Sequence, residues 1–448
     1  MPGAGFDEEA AVGGEAVEVT GSCYELFVEQ IELRVERPVA GGMGLARRDD
    51  GRVVLVDGGL PGELVRVTLS EEQHTTFGEV TEVLEANPER VEVAHCPHVA
   101  DGCGGCDHAD AQPALLRRMK AEVLADAIRR LGKIDAPEIQ PGPDLPTADF
   151  RTTLRLGVTD GRAGLFELGT HELVPLSVCV VAHPLLEQIV TESDFGPATE
   201  VMARVGAATG EALVMVTPNA TGVSVPIDNV RVVGLDELER NRAWIHEEVA
   251  GRRFRISAQS FFQTRRDGAE ALVQLVADGL GPMSAGDRLV DAYAGVGLFG
   301  ATLADRTPGL RVTAVESARS SVADAKVNLA GAAETGQARV IASTMAKWRP
   351  SKADAVVADP PRAGLGKQGV GKVEATGAGR VVLISCDAAS AGRDAGLLVR
   401  RGFSLDSVTL VDLFPHTHHT ESVSVFSRSD AYGVSEALKL RSDDAPAW

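Results

Sequence analysis

Three segments of this chain carry side chains suited to covalent chemistry. Cys386 closes the run Val381-Val-Leu-Ile-Ser-Cys386 and is followed by the polar Asp387. Such a run presents a thiol at the carboxyl end of a buried strand, where α/β sheets keep their reactive groups. Asp359-Pro-Pro-Arg362 follows the strand-like Asp354-Ala-Val-Val-Ala358, and His418-His-Thr-Glu421 precedes Ser422-Val-Ser-Val-Phe-Ser427. A lone cysteine in an apolar run is more often an inert core thiol. A nucleophile, an acid and a second carboxylate, each at a strand end, reverse that reading.

A second constellation is Cys96-Pro-His-Val-Ala-Asp-Gly-Cys103-Gly-Gly-Cys106. The two glycines let three thiolates converge, and Cys179 in Pro175-Leu-Ser-Val-Cys179 is the best fourth ligand. In a long chain without a signal-like start, metal or iron–sulfur ligation is favoured over disulfides. Zinc would satisfy the same four ligands. Cys23 falls in the amino-terminal tail and is expected to be dispensable. His416, His418 and His419 lack the neighbouring ligand pattern of a metal site and are expected to pack the loop or meet phosphate.

The third constellation is Leu289-Val-Asp-Ala-Tyr-Ala-Gly295-Val-Gly297-Leu-Phe-Gly300, a buried strand entering a Gly-rich turn and a helix. Glu316, at the end of the next predicted strand, is placed to accept hydrogen bonds from ribose hydroxyls. The glycine spacing suits NAD as well as S-adenosylmethionine. Asp359-Pro-Pro-Arg362 decides for S-adenosylmethionine, because a dehydrogenase has no standard use for it.

These groups need a scaffold. Residues 1–22 read as an acidic disordered tail and 23–92 as a five-stranded barrel of the OB type, with strands at Glu25–Val28, Arg52–Val56, Glu63–Leu69 and Gly78–Leu84. Residues 93–250 form a central α+β domain. It contains a helix over Pro113–Leu131, with Leu116, Met119, Val123, Ala127 and Leu131 on its buried face, and short strands including Gly222–Val225. Residues 251–448 alternate strand and helix, which predicts a doubly wound, Rossmann-like parallel sheet. Its strands fall at Arg288–Tyr293, Arg311–Glu316, Ala338–Ala342, Ala355–Asp359, Val381–Cys386, Ser407–Leu413 and Val423–Arg428, the last two as an antiparallel edge hairpin.

The net charge of −20 is unevenly spread. Residues 1–92 hold 20 acids against 7 bases, whereas 251–448 hold 21 against 24. The catalytic half therefore tolerates a polyanion partner. No apolar run is long enough to span a membrane, and a cytoplasmic monomer is expected.

With Gln263 in Ser260-Phe-Phe-Gln263, Asp359-Pro-Pro-Arg362, Ser385-Cys-Asp387 and His419-Thr-Glu421, the chain resembles the RNA uracil-C5 methyltransferases, which make 5-methyluridine. The amino-terminal barrel resembles their TRAM domain, and the four cysteines resemble their [4Fe–4S] set. The resemblance implies an S-adenosylmethionine-dependent enzyme acting on RNA, ribosomal ahead of transfer RNA. Cys386 would be the nucleophile and Glu421 the base. Gln263, Tyr293, Gly295, Glu316 and Asp359 would line the cofactor site, and Cys96, Cys103, Cys106 and Cys179 would hold the cluster.

The chain departs from that family at four places. Asp387-Ala388 stands where Asn-Pro is usual, Ser343-Thr344 replaces a Gly-Asp pair, residue 298 is leucine, and the TRAM-like domain is acidic. Base flipping is implied, with one of Phe261, Phe262 and Phe414 stacking on a base. Arg252, Arg253, Arg255, Arg265 and Arg266 bracket that segment as candidate phosphate contacts. Rival readings are an amino-methyltransferase using Asp359, a non-catalytic iron–sulfur RNA-binding protein and an NAD-dependent oxidoreductase.

Overall fold

The computed structural model describes residues 29–428 except 73, 92–95, 136–137 and 239–241. The acidic tail, Cys23 and the expected strand Glu25–Val28 lie outside the described residues. Five strands, β1 (Gln30–Pro38), β2 (Gly44–Arg47), β3 (Val53–Asp57), β4 (Leu64–Glu72) and β5 (Thr75–Glu85), close a barrel in the order β1-β2-β3-β5-β4. Period-two alternation turns Leu33, Val35, Val54, Val56, Val65 and Val67 inward. On the outer face acids consume the arginines: Arg66 pairs with Glu32 and Glu82, Arg34 with Glu85, and Arg48 with Glu29.

Helix α1 (Pro113–Ala127) begins on a proline at its first turn and continues through a wider turn, Ile128–Gly132, to a left-handed Lys133. The buried residues are Leu115, Leu116, Met119, Lys120, Leu124 and Ile128; Leu116 and Met119 keep to the expected face, Val123 and Ala127 are half-buried, and Leu131 is 47% exposed. The charge of Lys120 hides its burial from a hydrophobicity pattern.

After β6 (Ile139–Pro141), the central sheet runs β12-β11-β10-β7-β8-β9. Its strands are β7 (Thr153–Thr159), β8 (Arg162–Phe166), β9 (Leu173–Pro175), β10 (Glu200–Val205), β11 (Ala212–Thr217) and β12 (Val230–Gly234), with α2 (Pro184–Glu192) packed against β10. Gly222–Val225 is not a strand: only Ser224 forms an isolated bridge, to Asp194. A separate hairpin joins β13 (Trp244–Val249) to β14 (Arg252–Ser257).

The carboxyl-terminal half is built on an eight-stranded sheet ordered β17-β16-β15-β18-β19-β21-β20-β6. It comprises β15 (Arg288–Ala292), β16 (Arg311–Glu316), β17 (Ala338–Ala342), β18 (Ala355–Ala358), β19 (Arg380–Ser385), β20 (Ser404–Leu410) and β21 (Ser422–Ser427). Strands β15–β19 are mutually parallel and β21 is antiparallel to both neighbours. Helices α3 (Arg266–Leu280), α4 (Leu298–Arg306), α5 (Arg319–Asn328), α6 (Ala330–Glu334), α7 (Gly366–Ala375) and α8 (Ala388–Val399) accompany it.

Two details differ from expectation. Strand β20 starts and ends three residues early, because Val411–Glu421 leaves the sheet as a connection. The β20–β21 hairpin is also not the edge, since β6 pairs parallel to β20 and Gly142 N–H donates to Leu410 O at 2.7 Å. Helices α1 and α8 meet backbone to backbone: a Cβ on Gly392 would stand 2.3 Å from Ala127 O, and one on Gly396 2.4 Å from Gly132 O. Among the described residues no helix is long and apolar enough to cross a membrane.

Candidate active site

Strand β15 delivers the chain to Tyr293, held at φ 60°, and to Gly295 and Gly297 at φ 55° and 87°, where α4 begins. A non-glycine residue in this region marks local strain of the kind concentrated at functional sites. Beneath the turn, the fully buried Asp291 accepts from Gly300 N–H at 2.8 Å, and burial pushes its carboxyl up to about 7. Asp291 thus braces the turn from inside the sheet. From β16, Glu316 accepts Gly295 N–H at 2.9 Å through one oxygen, and Ser317 and Ala318 N–H through the other. The carboxylate is fixed at the lip of the turn, and the space beyond Gly295 is open.

Gln263, Tyr293, Gly295, Glu316, Asp359, Cys386 and Glu421 all line one cavity of about 810 Å³ at the carboxyl ends of the parallel strands. Gln263 Nε2 donates to Asp359 Oδ2 at 3.3 Å. Leu298, Ser343 and Thr344 line the same cavity, so the departures in that region bear on what it binds. Of the three phenylalanines, Phe262 is core, Phe414 is partly buried, and Phe261 is 64% exposed at the cavity wall.

Sequence reading missed how Ser260–Gln263 is held. Asp324, buried on α5, accepts from Ser257 N–H at 2.8 Å, Ser260 O–H at 2.6 Å and Arg255 Nε at 2.7 Å. Its helical context looks like that of any solvated aspartate, so no sequence signal marked it.

Cys386 follows β19 directly, and Asp387 caps α8 by accepting Ser390 N–H at 2.7 Å. Capping is a task that aspartate performs as well as asparagine. Burial, then the nearby Glu421 and Asp359, pushes the Cys386 thiol up to about 11. Glu421, 4% exposed, is not the solvated loop charge that an isolated glutamate usually is. Burial first, then Asp359, raises it well above the usual carboxylate range, and burial lifts Asp359 to about 7. Burial thus raises three acidic groups facing one cavity, and positive charge there would favour their ionised forms.

Cys96, Cys103, Cys106 and Cys179 line a second cavity of about 490 Å³, which also touches Cys386, Phe261, Arg362, Phe414 and His419. The two glycines of the cysteine loop are required by contact. A Cβ on Gly104 would lie 2.8 Å from Phe166 O, and one on Gly105 2.7 Å from Leu165 Cδ1. Burial and the neighbouring cysteines push Cys106 up to about 12. Among the described residues no three His, Cys, Asp or Glu side chains close on a single ion. The three loop histidines pack: His416 meets Thr147 O, His418 pairs with Asp107, and His419 stacks near His418 and Phe414.

The methyltransferase small domain family matches residues 256–372, the span from Gln263 through Asp359. A protein of Streptomyces avermitilis, named an uncharacterised RNA methyltransferase, is 33% identical over 89% of this chain and 98% of its own length. A Corynebacterium glutamicum protein of the same name is 32% identical over 89% and 97%. This chain belongs to that family of RNA methyltransferases. The fold agrees with that of the Pyrococcus abyssi tRNA (uracil-54, C5)-methyltransferase solved with S-adenosylhomocysteine, at TM-score 0.66 and 22% identity, covering 88% of this chain and 99% of that one.

In this RNA methyltransferase the five arginines proposed from sequence as phosphate contacts are occupied otherwise. Arg252 pairs with Asp305, Arg253 with Glu211, Arg255 with Asp324 and Arg266 with Glu270, while Arg265 is fully buried against Asp267. Asp267 and Glu270 lie within four residues of their arginines, whereas charge spacing along the chain could not reveal Asp305, Glu211 and Asp324, which come from other elements. Arg362, from Asp359-Pro-Pro-Arg362, stands 3.8 Å from Asp387, is 65% exposed and lines both cavities.

Proposed function

We propose that this RNA methyltransferase methylates C5 of a uridine through a covalent bond between Cys386 and C6, with ribosomal RNA ahead of transfer RNA as substrate. The observation that carries the reading is one cavity lined by a thiol, a base-competent carboxylate and the Gly-rich cofactor turn. An amino-methyltransferase would use Asp359 but has no need of Cys386.

S-adenosylmethionine supplies the methyl group from its sulfonium, and Gln263, Tyr293, Gly295, Glu316 and Asp359 are the residues that would hold it. Cys386 Sγ adds to C6, and the ring electrons move so that C5 becomes nucleophilic. Once C5 is methylated, Glu421 takes its remaining proton. The C6–S bond then breaks, its electron pair leaving on sulfur as the thiolate while the C5–H electrons restore the 5,6 double bond. Burial raises all three of Cys386, Asp359 and Glu421, and cationic charge in the cavity favours their ionised forms.

Two consequences concern the cofactor. Glu316→Ala should weaken S-adenosylmethionine binding by roughly 1.5–3 kcal/mol through lost charge-assisted bonds. It should also lower the melting temperature, since three backbone N–H groups lose their acceptor. Unchanged calorimetric affinity would move the ribose elsewhere.

The second consequence is a pH dependence. Asp359 is neutral below about 7 and anionic above it. The preference for cationic S-adenosylmethionine over neutral S-adenosylhomocysteine should therefore rise with pH through that value. A tenfold gain, about 1.4 kcal/mol, is well within a close ion pair at an effective dielectric near 20. A flat ratio between pH 5.5 and 8.5 would separate the sulfonium from Asp359.

The four cysteines are proposed to hold a [4Fe–4S] cluster in preference to zinc. Four cysteines lining one cavity are the ligand set that such a cluster takes. Anaerobically purified protein should be brown, with iron and sulfide near ~4 each per chain. Stoichiometric zinc without sulfide would replace the cluster by a zinc site. The barrel, whose arginines face acids, is proposed to be TRAM-like in fold. The test of the whole reading is to map 5-methyluridine in ribosomal and transfer RNA from cells with and without this protein. A uridine that loses its methyl group supports the reading, and unchanged maps refute it.

A further inference from the structure

The connection Val411–Glu421 joins two antiparallel neighbours, β20 and β21, that a two-residue turn could join. It carries Phe414 and Glu421 to the cavity, and groups outside the methyl-transfer sheet hold it. Lys120, 2% exposed on α1, donates from Nζ to Asp412 Oδ1 at 2.6 Å and to Phe414 O at 2.8 Å. Asp107, next to Cys106, accepts His418 N–H at 3.2 Å and pairs with the His418 ring. His108 N–H donates to His416 O at 2.9 Å.

We infer that Lys120 and Asp107 are positioning residues, which fix this connection so that Glu421 faces the carbon it deprotonates. Burying an ammonium is costly, and an aliphatic side chain at 120 would complete the stripe Leu116–Leu124–Ile128 without that cost. What the lysine adds is a grip on one side chain and one carbonyl of the connection. Asp107 adds a second grip at His418, three residues before Glu421, and it stands on the cysteine loop itself. The geometry of the base therefore depends on two elements that precede the catalytic sheet in the chain.

The inference rests on Glu421 being the base. The test uses the full-length protein with its metal, RNA substrate and S-adenosylmethionine labelled in the methyl group. Two variants are compared with wild type and with Glu421→Gln. One is the double substitution Lys120→Met with Asp412→Leu, which fills the pair's volume without leaving a lone buried charge. The other is Asp107→Asn, which keeps the side chain's shape. A misplaced base should cost about 10²-fold in turnover, the effect of an error near 1 Å. Protein–RNA adduct carrying the methyl label should accumulate, while cofactor affinity stays within about twofold by calorimetry, since the cofactor residues are untouched.

Turnover within threefold of wild type in both variants, with no adduct, would overturn the inference. Parallel loss of turnover and cofactor affinity would also overturn it, showing a purely structural role. If Glu421→Gln traps adduct and the two variants do not, only the positioning role fails. If Glu421→Gln itself traps none, the assignment of the base fails and takes the inference with it.

Discussion

Cys386→Ala should abolish methylation, lowering turnover on the order of 10⁴-fold or more, the scale on which removal of a nucleophile is felt. Without Sγ no bond forms at C6, so C5 is never activated and no covalent protein–RNA species can exist. Cofactor affinity should persist, because the Gly-rich turn and Glu316 stand on β15 and β16, apart from the thiol on β19. Gel analysis after denaturation, with single-turnover methylation and calorimetry, reads all three. A fully active variant would remove the uracil-C5 assignment and leave Asp359 as the centre of an amino-methylation site.

Glu421→Gln should separate the steps instead of stopping them all. The amide matches the carboxyl in shape and cannot accept the C5 proton, so attack and methylation proceed while elimination stalls. RNA should stay attached to Cys386, in a denaturation-resistant band carrying the methyl label. Burial, then Asp359, raises the Glu421 carboxyl well above the usual carboxylate range, so turnover should rise with pH before it levels. An inactive variant that forms no adduct would place this glutamate before methylation, or only in holding the connection.

Much of this site was legible in the chain because strand ends are written locally. A hydrophobic run followed by Asp-Pro-Pro, by Cys or by a Gly-rich turn fixes both the strand and what it presents, and the residues so chosen share one cavity with Gln263, which the family resemblance alone supplied. The barrel was readable in part: alternation and turn residues marked β3, β4 and β5, whereas β1 and β2 were not among the expected strands. Partners that come from distant elements were not legible. Lys120 broke the helix pattern because its carboxylate lies beyond the last parallel strand, and Asp324 resembled a surface residue. The arginines near Phe261 looked free until acids from α4, α5 and β11's approach met them. Three residues at 139–141 carried too little pattern to be recognised as the sheet's outermost strand.

The pairing of Lys120 with Asp412 spans 292 residues of chain, and this has a meaning for biosynthesis. At the usual ~5–20 residues per second, helix α1 leaves the ribosome roughly 15–60 seconds before its partners on α8 and β20 exist. Through that interval Leu124 and Ile128, the backbone of Gly132 and an ammonium destined for burial all face water. The amino-terminal barrel can finish folding from its own residues while the polypeptide is still growing. The methyl-transfer half cannot, because its final strand partner and the cover of its α8 surface were made first and must wait. Emergence of residues 388–427 is therefore the event that completes this half, and until then the nascent chain presents an adhesive surface that favours chaperone capture.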